Sequence, residues 1–461
     1  MKSETIAAIA TAMTSSGIGI IRVSGDESIS VVNKIFFNKN KKNTLMNANT
    51  HTVHYGFIYD GNELIDEVLT IVMKAPNSYT TEDTVEIDCH GGILVMNKIL
   101  ELIIKNGARL AEPGEFTKRA FLNGRIDLTK AEAVIDVINS KNDFALKSSV
   151  NQLKGSLSEL IKGVRDDILY EIAFIESALD DPEHISLDGY QEKLSKKVNT
   201  LLLSLEKLLS TADNGKILKE GINTVILGKP NAGKSSLLNR LVGEEKAIVT
   251  SIAGTTRDVL EETIRLHGIQ LNMIDTAGIT ATEDEVEKIG VEKAKKYATD
   301  ADLIIYVVDS SLPLDEKDEE IISLIQNKNV IVLLNKTDLD SMVSEEDIRK
   351  YFDNKNLIVI KTSTKENIGI NIFEDTIKEM FFHGNLSFND EIYITNMRHK
   401  EAIHNAYESL KLVMKSLEDD MPEDFYSIDL MSAYSSLGYV IGEEVGEDLV
   451  NEIFSKFCMG K

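Results

Sequence analysis

Residues 228–235 read Gly228-Lys229-Pro230-Asn231-Ala232-Gly233-Lys234-Ser235, two glycines with four residues between them followed by a Lys-Ser pair. In such a loop the backbone N–H groups converge on phosphate oxygens, Lys234 reaches the β- and γ-phosphates, and the Ser235 hydroxyl ligates Mg²⁺. The chemistry is nucleoside triphosphate binding. Three later segments extend it in order. Asp275-Thr276-Ala277-Gly278 offers a carboxylate for the Mg²⁺ shell and a glycine amide near the γ-phosphate. Asn335-Lys336-Thr337-Asp338 ends in a carboxylate that can accept from both N1–H and N2–H of guanine, whereas adenine has no matching pair of donors. Ser363-Thr364-Lys365, with Thr in place of the usual Ala, can back the base. The nucleotide read from this set is GTP.

Between the phosphate loop and Asp275 lies Thr250-Ser251-Ile252-Ala253-Gly254-Thr255-Thr256-Arg257-Asp258. Its Gly254-Thr255-Thr256 suits a switch in which a hydroxyl, that of Thr256, joins Ser235 on Mg²⁺ and backbone carbonyls hold a monovalent cation. Immediately after Gly278 stands Ile279, where Ras-like enzymes place the glutamine that orients the attacking water. Isoleucine cannot hydrogen-bond water, so another residue must position it.

These segments need a scaffold that presents each at a strand end. Apolar, strand-like runs at 223–227, 271–274, 330–334 and 357–360 precede them, and a helix-like run begins at Ser236. Strands and helices alternating over 216–380 predict an α/β unit with a mostly parallel sheet. Residues 1–118 hold strand-like runs at 18–24, 51–59, 67–73 and 84–89 and one amphipathic helix that stops at Asn106-Gly107, which predicts a compact α+β domain. From residue 119 to 215 the pattern is helical. Leu146, Val150, Leu153, Leu157, Leu160, Val164, Ile168, Ile172 and Ile175 predict one long amphipathic helix broken near Asp181-Pro182, and a second run from Leu194 to Leu208 ends at Asn214-Gly215. Helical periodicity returns within 381–461. The expected architecture is therefore an N-terminal α+β domain, a discontinuous helical bundle, and a GTPase inserted into that bundle.

The segments Asn231-Ala232-Gly233-Lys234-Ser235-Ser236, Gly254-Thr255-Thr256-Arg257-Asp258 and Asp284-Glu285-Val286-Glu287 resemble the GTPase domain of the MnmE (TrmE) family of tRNA modification GTPases. Gly19-Ile20-Ile21-Arg22-Val23-Ser24-Gly25, His90-Gly91-Gly92, the stretch from Pro113 to Gly124, and the terminal Cys458-Met459-Gly460-Lys461 resemble the same family, so the resemblance covers the whole chain. It implies a homodimer, joined through the N-terminal domain, that acts on tRNA with a flavoprotein partner, MnmG, carrying flavin and using reduced nicotinamide. The implied product is a carboxymethylaminomethyl-type group on carbon 5 of the wobble uridine, with methylene-tetrahydrofolate supplying carbon. Glu287 is implied to orient the water, with Asn231 and Lys234 acting at the phosphates. Asn231, Thr250, Ile252 and Thr255 are implied to hold K⁺. Arg22, Glu86, Arg125 and Lys461 are implied to bind the tetrahydrofolate, where Arg and Lys can pair with carboxylates and Glu86 with a pterin amide edge. Cys458 is either a chemical thiol, its pKa lowered by Lys461, or a packing residue. A ribosome-assembly or signalling switch that uses GTP only to control binding shares the GTPase motifs. The folate-like segment and the tail favour modification.

The chain has 461 residues, 50 Lys plus Arg against 75 Asp plus Glu, and a formal charge of −25, which argues against a nonspecific nucleic-acid coat and for a tRNA contact that is local or shared with a basic partner. Lys34, Lys39, Lys41 and Lys42 form either a basic patch or a solvated loop. Two distant cysteines, Cys89 and Cys458, argue against a disulfide framework. No apolar run approaches the roughly 18 residues of a membrane span, and the apolar run at 6–10 is shorter than the roughly 7 to 15 residues of a signal peptide. The expectation is a cytoplasmic protein.

Overall fold

The structure, a computed structural model, describes residues 3–244, 262–266, 269–274, 301–326, 328–353, 357–382 and 392–460. The chain divides into two compact units, one formed by 1–139, 149–205 and 401–461, the other by 140–148 and 206–400.

The first unit opens on a seven-stranded sheet. Its strands are β1 (Ile6–Ile9), β2 (Gly19–Ser24), β3 (Phe36–Phe37), β4 (Thr52–Asp60), β5 (Glu63–Met73), β6 (Thr84–Cys89) and β7 (Arg109–Leu110), in the order β3-β4-β5-β6-β2-β1-β7. All pairs are antiparallel except β1 with β7. Alternation along the strands gives the sheet two faces. One carries Ile21, Val23, Val85, Ile87 and Cys89, buried with Val31, Val32, Met96, Ile99 and Ile103 of helices Ser28–Ile35 and Ile93–Lys105. The other carries Arg22, Glu86 and Asp88, with Ala8 and Phe116 packed beside them. The helices of this unit include Glu115–Leu122, Leu128–Asn139, Ser156–Asp180, Glu423–Ile441 and Glu447–Ser455. Helix Ser156–Asp180 buries Leu157, Ile161, Val164, Ile168, Ile172 and Ile175, and packs on Glu423–Ile441.

The single long helix expected through 146–175 is two helices, Asp143–Lys154 and Ser156–Asp180. Gly155 between them has φ 103°, in the left-handed region that glycine enters without penalty. The apolar spacing continues across it, which is why periodicity alone joined the two. The stop expected at Asn214-Gly215 also shifts. Helix Tyr190–Ser210 is followed by Ala212–Glu220, which runs through Gly215 and ends before Gly221 at φ 85°.

In the second unit a six-stranded sheet runs β13-β12-β11-β8-β10-β9, with β8 (Ile222–Leu227), β9 (Glu262–Leu266), β10 (Ile269–Met273), β11 (Leu303–Asp309), β12 (Val330–Asn335) and β13 (Ile358–Lys361). Only β9 is antiparallel to its neighbour. β11 is buried along its whole length, as expected of a central parallel strand covered on both faces. Ile305, Val307, Ile331 and Leu333 face one core, and Ile304, Tyr306, Val332 and Leu334 the other. The β9–β10 hairpin was not foreseen from the sequence; β9 is an edge strand whose Glu262 and Arg265 interrupt the apolar pattern. Among the described residues no helix is long and apolar enough to cross a membrane.

Candidate functional sites

β8 ends at Leu227, and the loop from Gly228 runs into helix Lys234–Glu244. Asn231 sits at φ 63° and Gly233 at φ 106°, so the backbone doubles back inside the loop. Lys234 Nζ donates to the carbonyls of Gly228 (2.8 Å) and Lys229 (2.7 Å), which holds the ammonium within the loop. Burial pushes its pKa down, so the charge is costly there until an anion arrives to pair with it. Lys229 anchors the other side of the loop. Its ammonium lies 2.6 Å from buried Asp318 and 3.0 Å from Asp315, while Tyr306 OH donates to Asp318 at 2.7 Å.

The base-recognition segments meet at the ends of β12 and β13. Thr337 N and Oγ1 both donate to the Thr362 carbonyl, at 3.1 and 3.0 Å. Ser363 Oγ donates to Asp338 Oδ1 at 2.6 Å. That bond, foremost, holds the exposed Asp338 carboxyl below its ordinary pKa, so it is ionised at neutral pH and able to accept from a base. Lys336, at φ 64°, places Nζ 2.6 Å from Asp309 Oδ2. Burial alone would raise the Asp309 pKa; Lys336 and Ser311 more than offset it. Thr364 and Lys365 follow Ser363 in the same loop, and Ser235 and Ser236 open the helix.

Asn335 links the two halves of the site. Its side chain is 1% exposed; Nδ2 donates to the Ala232 carbonyl at 2.9 Å, and Oδ1 accepts from Thr364 N at 3.2 Å. One amide thus ties the phosphate loop to the base loop. Sequence reading placed Asn335 among the nucleotide ligands but gave no sign of this tie, because it spans 103 positions. Asn335→Ala leaves the Ala232 carbonyl and Thr364 amide without these partners, and GTP affinity is expected to fall about tenfold with guanine preference kept. Titration with a fluorescent GTP analogue checks this; unchanged affinity removes Asn335 from the site.

The segments 250–258, Asp275 to Ile279 and Asp284 to Glu287, together with Lys461, lie outside the described residues. Among the described residues no cluster of three or more His, Cys, Asp or Glu is arranged to hold a metal.

A second constellation forms in the first unit. Arg22 on β2 pairs directly across from Glu86 on β6; its Nε donates to Glu86 Oε1 at 2.7 Å and its Nη1 to the Gly460 carbonyl at 3.1 Å. The Arg22 guanidinium lies 5.4 Å from the centre of the Tyr79 ring and 5.6 Å from that of Phe116. Arg125 stacks on Tyr79 at 4.9 Å and donates to the Tyr79 carbonyl at 3.0 Å. Three of the expected folate residues, Arg22, Glu86 and Arg125, therefore share one site with the chain end just before Lys461. Tyr79, the ring between the two arginines, went unnoticed in the sequence; its lack of periodic context gave no signal.

The tail is held by backbone. Gly114 N donates to the Cys458 carbonyl at 3.2 Å, and a β-carbon at Gly460 would collide with Ala10, so only glycine lets the chain pass the end of β1. Cys458 is exposed. Cys89 is buried, and burial above all pushes its pKa up to about 12, so it holds no thiolate at neutral pH. Lys34 donates to the Asn106 carbonyl, past the end of helix Ile93–Lys105, while Lys39, Lys41 and Lys42 are exposed on a loop, which fits the solvated-loop reading.

The family model described as the MnmE helical domain matches residues 128–458, and that of the GTP-binding protein TrmE N-terminus matches 5–125. The chain belongs to the MnmE family of tRNA modification GTPases. A tRNA modification GTPase MnmE of Lachnoclostridium phytofermentans is 59% identical over 461 residues, all of both chains. That of Clostridioides difficile is 50% identical over 99% of each, and that of Listeria innocua 45% identical over all of both. The MnmE resemblance noted in the sequence is thus confirmed along the full length of this MnmE-family chain, together with a fold that combines an N-terminal domain, a helical domain and a GTPase-type sheet.

Proposed function

We propose that this tRNA modification GTPase adds a carboxymethylaminomethyl-type group to carbon 5 of the wobble uridine, with an MnmG-like flavoprotein contributing flavin and reduced nicotinamide, and with a reduced folate as one-carbon donor. The observation that carries the reading beyond GTP hydrolysis is the contact of Arg22 with Glu86 and Gly460: a switch that only gates binding has no use for an arginine-lined site joined to the chain end. Arg22 and Arg125 suit the carboxylate-bearing tail and ring of a folate, Tyr79 and Phe116 supply apolar faces, and Glu86 accepts from an amino edge. Lys461 completes the set in this reading. The functional division is 1–118, 119–215, 216–380 and 381–461, working as a homodimer.

At the nucleotide site, Lys234 transfers from the Gly228 and Lys229 carbonyls to the β- and γ-phosphates, Ser235 and Thr256 hold Mg²⁺, and Asp338 selects guanine. GTP then supplies the free energy of its hydrolysis to a conformational cycle. Glu287 orients the attacking water in place of the glutamine that Ile279 displaces. Glu287→Ala is expected to lower kcat by roughly 100-fold or more with little change in GTP affinity, measured by single-turnover phosphate release; normal hydrolysis removes Glu287 from the role.

Mass spectrometry of tRNA nucleosides from a deletion strain tests the whole reading. Loss of the modified wobble uridine, restored by the intact gene but not by one lacking residues 458–461, is the expected result. Unchanged nucleosides reject it.

A further inference from the structure

On the sheet face that bears Arg22 and Glu86, one carboxyl is left over. Asp88 follows Glu86 by two residues on β6 and so stands on the same face, flanked by Ile20 on β2 and Leu69 on β5. Among the described residues the other charges there are engaged: Arg22 with Glu86 and Gly460, Arg125 with the Tyr79 carbonyl, and Glu67 with the Tyr55 hydroxyl. Asp88 Oδ1 is fully covered and accepts no hydrogen bond among the described residues. Burial, and secondly the Glu86 carboxylate, push its pKa up. Among the described residues nothing donates to this covered oxygen, and a carboxyl oxygen so placed calls for an explanation outside packing.

The surroundings state what would complete it. Leu69 and Ile71 on β5, the latter opposite Glu86, extend the face as an apolar ledge that continues into exposed Val53 and Tyr55 on β4. An anionic group is disfavoured beside two carboxyls. A flat heterocycle with N–H or amino donors on one edge satisfies both the ledge and the oxygen.

We propose that Asp88 is a ligand-binding residue of the reduced-folate site, its Oδ1 accepting a hydrogen bond from an N–H or amino group of the pteridine ring alongside Glu86. The assignment rests on the folate reading above. It adds a second acceptor on β6 and fixes which way the ring lies: its donor edge runs along the strand from Glu86 to Asp88, over the β5 ledge.

Calorimetric titration of the full-length protein with 5-formyltetrahydrofolate tests it, using Asp88→Leu, Asp88→Asn and Arg22→Ala, with thermal melting of each ligand-free variant. Asp88→Leu is expected to weaken binding about 10- to 100-fold while melting at or above the parent temperature, because it removes an unsatisfied oxygen. Asp88→Asn keeps an acceptor and is expected to bind within about threefold of the parent. Parent-like binding by Asp88→Leu with binding lost in Arg22→Ala overturns the Asp88 assignment and leaves the pocket standing, as when a water alone fills the site. Weakened binding accompanied by a clear drop in melting temperature in both Asp88 variants overturns it too, in favour of a structural role. Absence of binding by the parent rejects the folate reading itself.

Discussion

Replacing NaCl by KCl at equal ionic strength is expected to raise GTP turnover by about 10³-fold, the scale at which an inserted arginine acts in other GTPases. The transition state spreads negative charge over the γ-phosphate oxygens, and this chain must neutralise it beyond what Lys234 and Mg²⁺ supply. Asn231 is an exposed residue of the phosphate loop, held at φ 63° in the left-handed region. The family resemblance implies that an amide oxygen there joins the backbone carbonyls of Thr250, Ile252 and Thr255, neutral oxygens of the kind that suit a large monovalent cation. Asn231→Gly isolates the amide: glycine adopts the same φ without strain, so the loop keeps its path while the oxygen is lost. The variant should bind GTP normally and hydrolyse it equally slowly in both salts. Equal parental turnover in KCl and NaCl, or full K⁺ stimulation of the variant, would reject the cation site. The cation site also predicts K⁺-dependent association of GTPase domains, so sedimentation with a transition-state mimic should show K⁺-dependent self-association of the parent and none of the variant.

How far the sequence foretold these sites depended on the range of the interaction. The phosphate loop, Asp338 and Ser363 were readable because each motif ends a short apolar run, and strand-to-loop junctions are local: β8, β12 and β13 begin and end within a residue or so of the runs that announced them. What periodicity could not supply was anything made by a single residue against a distant one. The break at Gly155 lies inside an unbroken apolar stripe and depends on one positive φ. Asn335 reads as part of a base motif, but its amide is spent joining Ala232 to Thr364. Arg22 and Gly460 lie 438 positions apart, and only the family resemblance suggested that they meet. Asp88 had no motif, and its significance depends on an oxygen to which none of the described residues donates, which no sequence displays.

Asp338→Asn is expected to reverse the base preference, weakening GDP and GTP by about 10²- to 10⁴-fold while creating affinity for xanthosine nucleotides. Guanine presents N1–H and N2–H to one carboxylate, and hydrogen bonds to a charged acceptor contribute roughly 1.5–3 kcal/mol each; the variant loses the N2–H bond, replaces it with opposed donors and takes the charge from the N1–H acceptor, a combined cost of about 3–6 kcal/mol at 1.4 kcal/mol per decade. The structure prepares Asp338 for this role. Ser363 Oγ donates to Oδ1 at 2.6 Å, which orients the carboxyl and keeps it ionised, and the paired Thr337–Thr362 bonds fix the loop beneath it. Asparagine retains Oδ1 for Ser363 and for N1–H, but Nδ2 now faces the position of the guanine amino group, donor against donor. Xanthine carries an oxygen there and pairs with it. The exchange leaves Lys234, Ser235 and the Asn335 tie untouched, so phosphate binding and the maximal hydrolysis rate with the matched nucleotide should stay near the parent values. Competition titrations of GDP against XDP measure the change directly. If guanine affinity persists in Asp338→Asn, the base is not held by this carboxylate, and the reading of Asn335-Lys336-Thr337-Asp338 as the guanine-selecting segment falls with it.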